Sequence, residues 1–334
     1  MTTKAFAALR AGDTLHPFEY ILDVVGPHDV EVKISHCGIC HSDVHLIDND
    51  WGISTFPLVP GHEIVGTVIS KGIQVKHLEV GQRVGIGWQR SACLDCYNCI
   101  RGDDNLCTHS TATCVGNFGG FSEYILTDSR FAFPLPEKLA SENAAPLMCG
   151  GITVYSPLAY YGITPAMKVG VIGIGGLGHL ALQFASKMGC EVTAFTTSEA
   201  KREEAVGFGA HYVVSSTDKE DLGFLAGSFD FIISTVFADL DWSLYLSLLR
   251  PNGRLCFVGV PKSNISVPAF PLISGRRSIV GSCIGSRAMM GDMLEFSARH
   301  NIQAKTEVMP MAEANAAIQR VRNNSARYRM VLAV

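Results

Sequence analysis

Hydrophobic positions in the first 150 residues come in short runs between glycine, proline and polar clusters. Residues 30–35, 64–69 and 82–86 are such runs and predict strands. The opening Met1-Thr-Thr-Lys-Ala-Phe alternates like a first strand. From about Lys168 the texture changes. Residues 169–174, Val-Gly-Val-Ile-Gly-Ile, predict a buried strand; a glycine turn and a helical run to Met188 follow. Strands at 191–195, 212–214, 229–234 and 253–260 then alternate with helices at 199–208 and 240–249. This alternation predicts a doubly wound parallel sheet and hence an α/β chain. After about Gly285, helices at 287–300 and 311–323 precede a closing strand at 329–332. The tail is expected to return to the first domain. One domain then comprises residues 1–149 and 285–334, with 150–284 inserted into it.

A length of 334 residues suits two domains at about 150 residues each. Lys and Arg number 27 against 31 Asp and Glu, a net charge of −4. So balanced a chain lacks the basic face that nucleic acid or an anionic membrane surface requires. Charged residues make up 17% and hydrophobic ones 47%, which suits a large buried core and excludes a disordered chain. Two charge-free stretches, 143–167 and 169–186, could be mistaken for membrane spans. Pro146, Pro157 and Pro165 interrupt one, and five glycines with His179 and Gln183 interrupt the other. With no secretory signal at the start either, a cytoplasmic protein is expected.

Eleven cysteines are an odd number for a disulfide framework. Four are packed together as Cys93-Leu-Asp-Cys96-Tyr-Asn-Cys99 and Cys107. Four thiolates in one loop close a tetrahedral zinc site with no vacant position, which makes such a site structural. An iron–sulfur cluster, also held by four thiolates, is the rival reading. Four unliganded thiols are disfavoured, because the polar Arg101-Gly-Asp-Asp-Asn segment has nothing else to hold it.

A second constellation is dispersed: Gly38-Ile-Cys40-His41-Ser42-Asp43-Val-His45, then Gly61-His62-Glu63, then Pro146-Leu-Met-Cys149. Singly, a cysteine is more often a small buried hydrophobe than a ligand, and a histidine more often a satisfied core residue. Together they offer two thiolates and one imidazole, a set that leaves one zinc position open. An open zinc is a Lewis acid for a hydroxyl or a carbonyl. Ser42 and His45 beside it could relay a proton to solvent.

Gly173-Ile174-Gly175-Gly176-Leu177-Gly178 matches G-x-G-x-x-G. Its place between an apolar strand and a helix is what the dinucleotide mechanism requires, a pyrophosphate held at a helix N-terminus. A plain glycine turn is the bland alternative. NAD sites usually carry an acidic residue about 20 positions on, for the ribose 2′-hydroxyl. Here that place reads Phe195-Thr196-Thr197-Ser198-Glu-Ala-Lys201. Hydroxyls and a lysine suit a 2′-phosphate, so NADP(H) is expected; Glu199 and Lys201 as ordinary solvated helix residues are the alternative.

Taken in order, these segments resemble the zinc-dependent medium-chain alcohol dehydrogenases. Within them the chain is most similar to the cinnamyl-alcohol-dehydrogenase-like, NADP-dependent aldehyde reductases. Residues 37–43, 61–63, 119–124, 147–158, 173–179 and 326–329, with the four-cysteine lobe, carry the likeness. The resemblance implies a GroES-like β-rich catalytic domain and a Rossmann cofactor domain. It also implies two zincs per chain, NADP(H), a small aldehyde or alcohol substrate and a homodimer. Cys40, His62 and Cys149 become catalytic zinc ligands, the Cys₂His set described for alcohol dehydrogenase itself. Glu63 is the carboxylate beside the metal, and Asp43 the partner orienting His62. Ser42 and His45 carry the proton. His41 and Arg329 fall at phosphate-contacting positions. Thr153, Thr235, Val258, Gly259, Val260, Ser282 and Ile284 line the nicotinamide and adenosine sites. Trp51 and Trp88 are the candidates for the substrate wall. Cys149 argues against the polyol branch, and both metal sets argue against the zinc-free quinone reductases. The implied reaction reduces an aldehyde in a cleft between the domains. An NAD-linked, alcohol-oxidising dehydrogenase with the same machinery is the alternative. A non-catalytic redox sensor would have no use for the Ser42–His45 relay.

Overall fold

The structure, a computed structural model, describes residues 2–334. The chain forms two compact units: one runs to Ile152 and resumes over Ile284–Val334, the other is Thr153–Cys283.

In the first unit, Asp29–Ile39 is the organising strand. Val30, Val32 and Ile34 point into the core while Lys33 faces water, and each fully buried side chain of this kind contributes about 1.5–3 kcal/mol. From Cys37 the alternation stops, and Cys37, Gly38 and Ile39 are all buried. Glu63–Lys71 and Tyr124–Asp128 pair with this strand antiparallel. Arg83–Ile86 and Ala132–Pro134 extend the sheet on one side. On the other side Arg329–Ala333 pairs antiparallel with Asp29–Ile39, Met330 opposite Ile39, so the tail does return to this sheet. Thr306–Pro310 lies beside it in parallel; the sequence pattern did not predict that strand. The expected opening strand is observed as Thr2–Ala7, Met1 lying outside the described residues.

The second unit holds a six-stranded, all-parallel sheet. Its order is Tyr212–Ser215, Glu191–Thr196, Lys168–Ile172, Phe229–Ser234, Leu249–Phe257, Ser278–Gly281. The first strand in the chain is thus central, and the direction of winding reverses beside it. Ligands of such sheets bind at that switch point, outside the carboxyl ends of the strands.

Some boundaries differ from expectation. The strand expected at 253–260 is Leu249–Phe257. The helix at 199–208 divides into a 3₁₀ turn, Glu199–Lys201, and an α-helix, Arg202–Gly207. The edge strand Ser278–Gly281 is too short to show a pattern. The charge-free stretch at 143–167 contains the helix Gly150–Tyr160, with Pro157 inside it. Among the described residues no helix is long and apolar enough to cross a membrane.

Candidate active site

Asp43 organises the candidate metal ligands of the first unit. The Asp29–Ile39 strand ends one residue before Cys40, and the helix His41–Asp48 starts directly after it. Asp43, in the first turn of that helix, is fully buried. Its Oδ2 accepts the Cys40 backbone N–H at 2.8 Å; its Oδ1 accepts the Gly61 N–H at 2.9 Å and faces His62 Nδ1 at 3.0 Å. One carboxylate therefore fastens two segments eighteen residues apart. A carboxylate only accepts, so the proton of His62 sits on Nδ1 and the Nε2 lone pair is turned away from Asp43.

That lone pair faces Cys149 Sγ at 3.3 Å, and Cys149 Sγ lies 4.0 Å from Cys40 Sγ. With Zn–S about 2.3 Å and Zn–N about 2.0 Å, a tetrahedral ion spaces such donors by roughly 3.5–3.8 Å. The trio fits one cation. Its electrostatics agree, for the buried pair of thiols ionises once: the hydrogen bond from Cys149 draws Cys40 well below the usual thiol range. That same hydrogen bond, together with burial, holds Cys149 well above it. A second thiolate here calls for a positive ion.

Glu63 joins the trio, its carboxylate within 4.8 Å of all three ligand atoms. The strand register sets it opposite Gly38, where a Cβ would stand 2.1 Å from Glu63 Oε2; only glycine fits beneath it. Burial lifts the Glu63 carboxyl to about 7 despite the adjacent Arg329 guanidinium. Oε1 is ion-paired with Arg329, while Oε2 has no hydrogen-bond partner. Such an orphan beside three soft donors is a fourth potential metal ligand. Arg329, assigned by resemblance to a phosphate, is here buried against Glu63.

Ser42 and His45 sit three residues apart on the His41–Asp48 helix, hence on one face. Ser42 Oγ lies 3.6 Å from Cys40 Sγ. His45 Nδ1 contacts Asp50 Oδ2 at 2.7 Å, a partner that no motif or spacing anticipates. Asn49, left-handed at φ 57°, turns the chain so that Asp50 folds back. From His45 a row of rings leads inward. His45 and Trp51 centroids are 5.2 Å apart, Trp51 and Trp88 meet edge to face at 6.3 Å, and Trp88 meets His62 at 4.9 Å. His41 is half-buried, and burial pulls its pKa below the usual value, with His45 and Arg329 adding to this and Cys40 opposing it. Ile284, left-handed at φ 39°, shares a small cavity with Trp88, Met148 and Arg287. Cys114 escaped the sequence analysis as one of the scattered cysteines, yet its Sγ lies 4.0 Å from His62 Nδ1.

In the cysteine lobe, Cys96 and Cys99 sulfurs are 3.5 Å apart, Cys93 and Cys107 3.5 Å, Cys93 and Cys99 3.9 Å. A disulfide needs about 2.05 Å; one tetrahedral ion needs about 3.8 Å between sulfurs. The set fits the ion. Buried Asp104, between Cys99 and Cys107, anchors the lobe. It accepts the Arg287 backbone N–H at 3.3 Å and pairs with the Arg287 guanidinium at 3.4 Å, while its carbonyl accepts from Gln89 at 2.8 Å.

In the second unit the glycine motif and its expected companions collect at the carboxyl ends of the strands. Gly173 is left-handed at φ 84°, and a Cβ on Gly178 would stand 1.9 Å from the Gly173 carbonyl, so helix and strand meet only without one. A Cβ on Gly175 would meet nothing within 4 Å, which leaves the backbone open to a phosphate. Ile174 is buried and Leu177 immediately precedes the helix Gly178–Lys187, with Gly176 between the two. Thr235 Oγ1 donates to the carbonyls of Ile172 and Gly173. Thr196 ends its strand with Oγ1 accepting the Ser198 N–H at 3.2 Å, and Thr197 is exposed. Lys201 Nζ donates to the Ile174 carbonyl at 2.9 Å, so the lysine reaches into the glycine turn. Val258 and Gly259 N–H groups bond the Ser234 carbonyl, and Ser282 N–H that of Phe257. Val260 is exposed, and Thr153 is buried on the Gly150–Tyr160 helix.

Residues 26–137 match the alcohol dehydrogenase GroES-like domain and residues 176–299 the zinc-binding dehydrogenase family. The chain is 46% identical over 329 residues to an aldehyde reductase, AdhA, of Synechocystis, covering 98% of each chain. It is similar to the solved structure of a cinnamyl alcohol dehydrogenase from Sorghum bicolor, with a TM-score of 0.96 and 37% identity over 100% of this chain and 98% of that one. It is likewise similar to the CAD of Helicobacter pylori complexed with NADP(H), with a TM-score of 0.92 and 33% identity over 100% and 98%. A GroES-like β-rich unit, a Rossmann sheet and clustered Cys and His donors thus accompany likeness along the whole chain, which belongs to the zinc-dependent alcohol dehydrogenase family.

Proposed function

We propose that this enzyme reduces aldehydes to primary alcohols, reversibly, with NADPH. The observation that carries the reading is the convergence of Cys40, His62 and Cys149 at one point, beside Ser42. These three would hold a catalytic zinc, and Cys93, Cys96, Cys99 and Cys107 a structural one, two per chain. When bound, the catalytic zinc supplies Lewis acidity to a carbonyl oxygen and NADPH supplies the hydride. Asp43 keeps the imidazole of His62 in the tautomer that can ligate. The Ser42 hydroxyl holds the proton that the new alcohol needs. His45, its Nδ1 committed to Asp50, refills Ser42 from solvent. Trp51 and Trp88 wall the substrate and exclude water.

The NADPH preference is supported by Thr196, Thr197 and Ser198 standing where an NAD site carries an acid. Glu199, the nearest carboxylate in sequence, is occupied by Arg202. Lys201 stands at the glycine turn as a counter-charge for a 2′-phosphate. The NADP(H) complex of the Helicobacter pylori relative lends support. A homodimer in the cytoplasm belongs to the same reading.

The test follows NADPH and NADH absorbance with a panel of aldehydes, alongside metal analysis. Two zincs per chain and a higher kcat/KM with NADPH are expected. A ratio below one reassigns the cofactor, and a Cys40→Ser variant that keeps turnover ends the metal reading.

A further inference from the structure

Neither Arg90 nor the cavity beside it takes part in the chemistry above. The cavity, about 400 Å³ in the first unit, is bordered by Tyr20, Asp23, Phe56, Arg90, Asn117 and Phe118. Its volume lies within the roughly 300–1,000 Å³ usual for small-molecule sites. None of its lining residues belongs to either metal cluster.

Arg90 is delivered by an irregularity in strand pairing. Gln89 opposes Ala112 and Ser91 opposes Thr111, which leaves Arg90 as an extra residue. Bulges of this kind re-aim a side chain. The guanidinium borders the cavity and, among the described residues, makes no hydrogen bond or ion pair. Four other half-buried arginines do, Arg83 donating to the Pro136 carbonyl, Arg130 to Asp128, Arg250 to the Ser228 carbonyl and Arg322 to Asp48, whereas Arg254 and Arg277 do not. Burial pulls the Arg90 pKa below its usual value, against the opposing fields of Asp29, Tyr20 and Asp23. A guanidinium is five donors with no acceptor of its own, so the half-buried Arg90 can offer several of them to an anion in the cavity.

The surroundings say what could pair with it. Tyr20 and Phe118 rings lie 4.4 Å apart at their centroids, inclined at 48°, and with Phe56 they give the cavity an aromatic side. Asp23 borders the same space without approaching Arg90 to ion-pair distance. A monocarboxylate brings one negative charge to the one lining cation, and its two oxygens match the guanidinium fork. We propose that this cavity binds a small organic monocarboxylate with a planar apolar body, the carboxylate on Arg90 and the body against Tyr20 and Phe118. The site does not depend on the reaction proposed above.

Benzoate titrated calorimetrically into the full-length, zinc-loaded chain saturated with NADPH tests it. Benzoate is expected to bind, with phenylphosphate and the uncharged benzamide both weaker. Arg90→Gln is expected to weaken benzoate about tenfold or more, the worth of a charge-assisted hydrogen bond, while leaving aldehyde turnover unchanged. Thr55→Trp, at the exposed rim of the cavity, is expected to abolish binding with the melting temperature kept; it decides the matter if Arg90→Gln fails to fold. No heat with the unmodified chain overturns the proposal. Equal benzoate affinity in a folded Arg90→Gln or Thr55→Trp variant, as binding at the metal centre would give, overturns it too. Phenylphosphate binding tighter than benzoate overturns the monocarboxylate assignment.

Discussion

At the scale of single residues, Asp43 holds the segments of the proposed metal site together. It is fully buried, and its oxygens face the donors of Cys40, Gly61 and His62. Asn keeps its size but turns one acceptor into a donor facing another donor. Asp43→Asn is therefore expected to cost about 1–3 kcal/mol for the unsatisfied groups and about 10- to 100-fold in metal affinity or activity, as for other partners of metal-ligating histidines. Metal analysis should show one zinc lost and the lobe zinc kept. Two retained zincs with full turnover would show that His62 needs no orienting. Asp43 was anticipated through the family resemblance of the segment around Cys40. Asp50 and Cys114 were not: their contacts with His45 and His62 arise from a turn and a long loop that no spacing rule anticipates.

At the scale of elements, the sequence revealed those whose two faces differ. The Asp29–Ile39 strand alternates over Val30, Val32 and Ile34, and the central strands of the second unit are unbroken apolar runs. It did not reveal the register shifts of Asp29–Ile39 against Glu63–Lys71, nor short edge strands such as Ser278–Gly281, because these are decided by neighbours remote in sequence. His36 closes the second of these shifts. Burial, the larger effect, holds its pKa below the usual 6.5, and Glu142 opposes this. The unfolded chain thus binds a proton that the native one resists. Stability is complete above that usual value and falls as pH drops through it towards the native pKa. Melting temperature should therefore decline between pH 7 and 5 less steeply for His36→Gln than for the unmodified chain; equal slopes would exclude the effect. The lobe offers a second case. Asp104 ties it to the N-terminus of the Arg287–His300 helix. Asp104→Asn should keep both zincs but lower stability by about 1–3 kcal/mol, whereas Cys99→Ser should lose one zinc outright. Denaturant titration with metal analysis separates the two, and an Asp104→Asn chain that loses zinc as Cys99→Ser does would make Asp104 part of the site's closure.

At the scale of the molecule, the sheet of the second unit gathers Gly173, Thr196, Thr235, Val258 and Ser282 at the ends of consecutive strands, though they span more than a hundred residues of sequence. The βαβ alternation made that gathering legible, since parallel strands joined by crossovers all end at the same edge of the sheet. The choice between the two cofactors lies in a smaller difference. Lys201 donates to the Ile174 carbonyl inside the glycine turn, so it could act as a brace for the turn or as a counter-charge for a 2′-phosphate. The two roles predict different outcomes for Lys201→Ala. Removing a brace disturbs the pyrophosphate cradle that both cofactors share, and would weaken NADPH and NADH alike. Removing a counter-charge costs only the cofactor that carries the extra phosphate, about tenfold or more in affinity. The second is expected, because Thr196, Thr197 and Ser198 leave no carboxylate for an NAD ribose. Fluorescence titration of both reduced cofactors checks it. Raising the salt concentration should narrow the difference between the unmodified and variant chains for NADPH, since a lysine at the surface of a binding cleft acts through a screened charge.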